Sequence, residues 1–204
     1  MTFTIWLSLF SVCLLGAMSP GPSLAIVARH SLAGGRSNGL ATAWAHAIGI
    51  GIYAFITVLG LAIILEQYPL LFKLISYGGA LYLFYLGLNA VRSRGGLVEK
   101  LESGHSVSVY TSAKEGFLIS LLSPKIAIFF IALFSQFVAV GVGTADKAVI
   151  IATPLIVDGL WYSLITLVLS RPAFISILKN KARLIDQVSG TILILLAIRV
   201  IWTI

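Results

Sequence analysis

Charged residues are scarce in this sequence, and their scarcity limits the kind of protein that it encodes. Asp, Glu, Lys and Arg make up 10% of the 204 residues, whereas 59% are hydrophobic. Soluble domains carry about a quarter charged residues, so the composition excludes a soluble protein and indicates an integral membrane protein. Little sequence remains for a separate soluble domain, and we expect residues 1–204 to form one transmembrane domain.

Cysteine is almost absent, since Cys13 is the only one in the chain. A single thiol can form neither an intramolecular disulfide nor a cysteine-based metal or redox pair. The lone thiol also argues against an electron-carrying membrane oxidoreductase, whose chemistry needs two thiols. We expect Cys13 to be a small packing residue, and we expect no cofactor.

Long apolar runs, in contrast, fill the chain. A helix needs about 20 apolar residues to cross roughly 30 Å of hydrocarbon. Six runs reach that length, at about 3–28, 40–65, 69–91, 115–140, 148–169 and 184–203. The sequence therefore predicts an all-α membrane protein with six transmembrane helices.

The basic residues lie mainly in the loops between helices one and two, three and four, and five and six. By the positive-inside rule these loops are cytoplasmic, so we expect both termini on the outer side. The net charge of +7 is divided among several loops and forms no single basic patch. We therefore do not expect nucleic acid as a partner.

The first apolar run is interrupted by Ser19-Pro20-Gly21-Pro22. Two prolines and a glycine remove helix hydrogen bonds where lipid offers no substitute, so such a break must face protein or a watery cavity. The helix restarts at Ser23, where unpaired backbone N–H groups and the positive end of the helix dipole favour a carboxylate. The alternative is a structural kink that only widens helix packing.

A second break, Ser123-Pro124-Lys125, opens the fourth run. Placing Ser19-Pro20 on Ser123-Pro124 aligns the two halves with an offset of 104 residues. Repeat one then covers about residues 1–96 and repeat two about residues 107–204. Three crossings in each half predict an inverted-topology repeat, with helices one and four broken by proline and a binding site between them near the midplane. The alternative is that six apolar helices divide into threes by chance.

Lys125 and Asp158 are ionisable residues deep inside apolar runs, each on the order of 15 Å from the nearer membrane edge. Charges at that depth are costly, so a functional role is the default hypothesis, and pairing is the simplest way to stabilise both. They form either a structural ion pair or a working pair. In the second case Asp158 takes up and releases protons, while Lys125 alternates between Asp158 and a substrate carboxylate.

Three further residues belong to this hypothesis. His46, about one and a half turns inside helix two, is either a packing residue or part of a proton pathway. Trp161 and Tyr162 follow Asp158 by three and four residues and are predicted to share its helical face. They either line a substrate cavity or fill the core.

These motifs resemble the LysE/RhtB family of bacterial amino-acid exporters over essentially the whole chain. The resemblance rests on Pro-Gly-Pro at 20–22, Pro124-Lys125, and Asp158 followed by Trp161-Tyr162. It implies a secondary transporter, not an enzyme, that exports small amino acids or close derivatives across the bacterial cytoplasmic membrane. It also implies coupling to protons and a homodimer. The family usually has Asn before the second proline; Ser123 replaces it here and offers one donor instead of two.

Two other functions are compatible with the composition. A divalent metal-ion exporter needs several carboxylates or thiols, whereas the membrane interior here offers one Asp, one His and a repelling Lys. A non-transporting membrane scaffold would leave the midplane charges without a purpose. Among amino acids, a cationic substrate is disfavoured because only Asp158 is available to neutralise its extra charge.

Overall fold

The computed structural model describes residues 1–19, 21–92, 107–138 and 143–169, together with 183–184, 187–188, 190–191, 193–195, 197–198 and 201–202. Within these ranges, the side chains of residues 62, 65, 124, 125 and 138 are not described. The described part of the chain is helical and contains no strand. The predicted all-α class is confirmed.

Six helices have defined bounds in the described ranges: α1 (Phe3–Met18), α2 (Pro22–Gln67), α3 (Pro69–Arg92), α4 (Val109–Leu121), α5 (Pro124–Val138) and α6 (Thr144–Leu169). The described residues between 183 and 202 are helical as well. Prolines stand at the first position of α2, α3 and α5, where the missing N–H group would have no helical partner in any case.

Helix α2 contains a sharp turn at Gly35. This residue has φ 74° and ψ −166°, a conformation that glycine adopts without steric cost. The turn divides α2 into a first arm (residues 22–34) and a second arm (residues 36–67), which run in different directions. The turn lies between the apolar runs at 3–28 and 40–65, where the sequence predicts the loop between helices one and two.

Three of these helices are long and apolar enough to cross a membrane: α2 over Pro22–Leu61, α3, and α6. Helices α4 and α5 together would form a fourth span, bent by 57° at the break between them. Helix α1, with 16 residues, is apolar but shorter. Many large apolar side chains of α2, α3 and α6 face outward, as expected for helices that contact lipid.

Helix α2 is the centre of the packing and contacts both α4 and α6, while α1 packs on α6 and α3 packs on α5. Small residues permit the closest approaches. A Cβ atom added at Gly116 of α4 would lie 2.5 Å from the backbone carbonyl oxygen of Thr42 in α2. A Cβ atom at Gly87 of α3 would lie 2.7 Å from the carbonyl oxygen of Gly190. At these points the backbones themselves are in contact, a packing mode common in membrane helices.

Candidate functional site

The first break separates α1 from α2. Helix α1 ends at Met18 and α2 begins at Pro22. Ser19 and Gly21 between them have extended backbones, and Pro20 lies outside the described residues. No side chain caps the start of α2. Within the described part of the chain, the amides of residues 23 and 24 in its first turn make no hydrogen bond, which leaves them to water or a ligand.

The second break separates α4 from α5. Helix α5 begins at Pro124, and the hydroxyl of Ser123 accepts a hydrogen bond from the amide of Ile126 at 3.4 Å. Ser123 therefore caps α5, and its hydroxyl donates to no acceptor among the described residues. The side chains of Pro124 and Lys125 lie outside the described residues. The predicted pairing of Lys125 with Asp158 accordingly stays a prediction.

At each break, a tyrosine hydroxyl donates a hydrogen bond to a backbone carbonyl. Tyr162 of α6 donates to the carbonyl oxygen of Ala17 at 3.2 Å, and Tyr53 of α2 donates to that of Leu121 at 2.7 Å. Carbonyls in the last turn of a helix lack an intrahelical donor, and both acceptors lie in such a turn. Leu121 follows Ala17 by 104 residues, the same offset that relates the two breaks in the sequence.

Asp158 and His46 form a buried pair between α6 and the second arm of α2. Nδ1 of His46 lies 2.7 Å from Oδ2 of Asp158, and their side chains are 1% and 9% exposed. With the carboxylate ionised, the Nδ1–H group donates and the carboxylate accepts. The ring of Tyr162 meets the His46 ring edge-on, with centroids 5.3 Å apart. Nε2 of His46 is buried and has no hydrogen-bond partner among the described residues.

These groups surround one cavity of about 80 Å³. Its lining contains eight of the predicted site residues: Ser19, Gly21, Pro22, Ser23, His46, Ser123, Asp158 and Tyr162. The structure thus brings both breaks to the same space as the buried Asp158–His46 pair. Among the other predicted site residues, Pro20 and the side chains of Pro124 and Lys125 lie outside the described part of the chain.

Trp161 lies elsewhere. It lines a second, apolar cavity of about 480 Å³ between α1 and α6, together with Trp6, Phe10 and Leu160. Its indole Nε1 is buried and has no partner among the described residues. Adjacent residues on a helix point about 100° apart, so Tyr162 reaches the cavity of Asp158 while Trp161 faces away from it.

The cavity also has apolar lining residues that the sequence did not identify. They come from α1, α2, α3, α5 and the final helical residues, and include Gly16, Ile50, Leu86, Phe129 and Leu193. An apolar residue in an apolar helix carries no local signal that distinguishes a cavity wall from core packing. Only the assembled helices reveal these positions.

A second polar cluster lies around His30, which is 2% exposed. Its Nε2 lies 3.0 Å from Oε2 of Glu115, and its Nδ1 lies 3.1 Å from Oγ of Ser112. Asn38 donates to the same Ser112 hydroxyl at 2.9 Å, and Arg29 lies 3.6 Å from the Glu115 carboxylate. The cluster joins both arms of α2 to α4. His30 lies just beyond the apolar run at 3–28, and nothing in the sequence there indicates such burial.

Within the described ranges, no three or more His, Cys, Asp or Glu side chains come together in a group that could hold a metal ion.

The chain is similar to a family of translocators and to proteins named for the efflux of amino acids. The family described as "LysE type translocator" matches residues 14–203. The chain is 28% identical to the threonine efflux protein of Escherichia coli K12 over 193 residues, which cover 92% of this chain and 93% of that protein. It is 29% identical to the leucine efflux protein of Enterobacter sp. strain 638 over 178 residues, covering 85% and 82% of the two chains. No solved structure matches the chain significantly.

Proposed function

Since the chain belongs to the LysE type translocator family, we propose that it is a secondary transporter that exports small amino acids or close derivatives across the bacterial inner membrane. Relatives named for threonine and leucine efflux support an amino acid as the substrate. The observation that carries the proposal is the single cavity into which both helix breaks and the Asp158–His46 pair open.

The proposed architecture has six crossings in two inverted repeats. Helix α1 with the first arm of α2 forms the first crossing, and α4 with α5 forms the fourth. Two observations support this arrangement. The breaks are 104 residues apart, and each is accompanied by a tyrosine hydroxyl that donates to a carbonyl just before it. Both termini then lie on the outer side, and the working unit is a homodimer.

The proposed substrate site binds the two charged groups of a zwitterionic amino acid at different places. The substrate carboxylate binds at the start of α2, where the amides of residues 23 and 24 and the positive end of the first arm are uncapped. The substrate ammonium binds on the side of the Asp158 carboxylate. Ser19 and Ser123 supply hydroxyls at the same cavity. Lys125 is proposed to pair alternately with the Asp158 carboxylate and with the substrate carboxylate.

The proposed coupling group is Asp158. A carboxylate that carries a proton loses its charge and its attraction for an ammonium group. Proton binding and substrate binding at Asp158 are therefore mutually exclusive, which is the requirement for antiport. His46 holds the carboxylate through Nδ1 and offers a second protonation site at Nε2.

The test is direct flux in proteoliposomes that contain the purified protein. Labelled amino acids are screened for transport that is driven by an imposed pH gradient, with protein-free liposomes as the control. We expect at least one small neutral amino acid to be driven by the gradient. If no amino acid moves under any gradient while the protein remains folded, the transporter function is wrong and a scaffold role takes its place.

A further inference from the structure

The walls of the cavity belong to two separate groups of residues. Its polar wall consists of groups that contact one another: Asp158 pairs with His46, and Tyr162 packs on His46 while it also interacts with the Ser23 side chain. The other part of the lining, here called the apolar wall, includes Leu86 and Phe129, which pack in one cluster with the buried Leu193. The polar wall accounts for the carboxylate and ammonium groups of a zwitterion. The apolar wall has no role in the function described so far.

Phe129, a residue of the apolar wall, contacts the helix that precedes the first break. A Cβ atom added at Gly16 of α1 would lie 2.9 Å from Cζ of Phe129, so the tip of the ring touches the α1 backbone. Gly16 precedes Ser19, the first residue of the break, by three positions. The ring of Phe129 also packs edge-on against Phe130, with centroids 5.4 Å apart. Contacts with Gly16 and with Phe130 hold the ring beside the first break.

We propose that the apolar wall is the side-chain pocket of the substrate, and that Phe129 and Leu86 set the size of side chain that is accepted. The inference rests on the proposed function, because it assumes that an amino acid occupies the cavity. The cavity of about 80 Å³ is small beside ligand pockets of several hundred Å³. The pocket therefore selects short, uncharged side chains.

The chemistry of the wall supports both parts of that selection. A charged side chain would be buried there without a partner, since Leu86, Phe129 and Leu193 carry no polar group. Excess length is rejected sterically, because packed cores resist additional methylene groups. Discrimination by one methylene group in an apolar pocket typically amounts to about 10- to 200-fold.

The experiment compares wild type with variants of the pocket in proteoliposomes. Export rates are measured for L-alanine, L-norvaline, L-leucine and L-phenylalanine, and the result is the ratio of rates between long and short side chains. A ratio does not depend on how much folded protein each preparation contains. We expect wild type to favour the short members. Phe129→Ala and Leu86→Ala should shift the ratio toward leucine and phenylalanine by about tenfold or more.

Gly16→Ala is the converse variant. Its added methyl group would overlap the tip of the Phe129 ring at a cavity that both residues line, so the free space should decrease and the ratio should shift toward alanine. Phe55→Ala is the matched control, because Phe55 is 53% exposed on the outer surface of α2 and its loss should leave the ratio unchanged. If Phe129→Ala fails to fold, Leu86→Ala on a different helix still decides the question.

The two proposals fail in different ways. If wild type transports none of the four amino acids and none of a wider panel, the exporter function itself is wrong. If wild type transports some of them but the ratio is the same in both pocket variants, the exporter function stands and the assignment of the side-chain pocket is overturned.

Discussion

Nδ1 of His46 lies 2.7 Å from Oδ2 of Asp158, and this contact joins the second arm of α2 to α6 inside the protein. The two residues are 112 positions apart in the chain. Since an isolated buried charge is expensive, each residue makes the other tolerable at this depth. The pair is therefore both a structural link and the proposed coupling unit, and the two roles can be separated by mutation.

Removing the imidazole tests the structural role. His46→Ala leaves the Asp158 carboxylate without its observed partner, and we expect the free energy of unfolding to fall by about 3–5 kcal/mol. His46→Gln keeps an N–H donor and should lose less. Thermal unfolding in detergent measures both. Equal stability of His46→Ala and wild type would mean that the contact contributes nothing to the fold.

Neutralising the carboxylate tests the coupling role. Asp158→Asn preserves the shape and a hydrogen-bond acceptor for His46, so the protein should remain folded in the membrane. Its export should no longer respond to an imposed pH gradient. Glu66→Gln is the matched control, because Glu66 is exposed at the end of α2 and should respond as wild type does. Full gradient dependence in Asp158→Asn would remove Asp158 from the coupling mechanism.

The tyrosine contacts at the two breaks give a paired prediction. Tyr162→Phe and Tyr53→Phe each delete one donor and leave a carbonyl of the preceding helix unpaired, with an expected loss of about 1–3 kcal/mol. Tyr85→Phe, at a residue 59% exposed on α3, should have no effect on thermal unfolding. A change at Tyr85 as large as at the other two would show that the measured loss does not come from the carbonyls.

Replacing glycine by alanine is predicted to destabilise the protein at one position and to stabilise it at two others. Gly116→Ala puts a methyl group 2.5 Å from the Thr42 carbonyl oxygen, a backbone atom that cannot rotate away, so α4 must shift at a cost of about 1–3 kcal/mol. Gly60→Ala and Gly78→Ala place a methyl group where no atom lies within 4 Å. These two should stabilise the protein by up to about 1 kcal/mol through better helix propensity. Thermal unfolding of the three variants checks the ordering.

The sequence was informative where a residue conflicts with its surroundings. Prolines inside an apolar run and ionisable groups at the midplane are conspicuous without any knowledge of packing. For that reason Ser19, Pro22, Ser123 and Asp158 could be proposed together, and the structure places all four at one cavity. The family follows from the same features, whereas the all-α class follows from the long apolar runs, and both are confirmed.

The sequence was less informative about directions around a helix. Hydropathy gives the depth of a residue but not the neighbour that it faces, so the sequence did not indicate that His46 contacts Asp158 directly. The Lys125–Asp158 pair stays a prediction, because the Lys125 side chain is not among the described ones. The same reason applies to Trp161, which faces a different cavity from Tyr162. Phe129 and Leu86 could not be proposed at all, because nothing in the sequence distinguishes them from other apolar residues.

The two tyrosines have a further consequence for the ancestry of the chain. Their acceptor carbonyls, at Ala17 and Leu121, are 104 residues apart, but Tyr162 follows Tyr53 by 109. If the halves descend from one duplicated gene, the donors occupy non-equivalent positions while the bond itself is the same. A position-by-position comparison of the two halves would therefore miss the donors, whereas a search for hydroxyls within reach of the two carbonyls finds them.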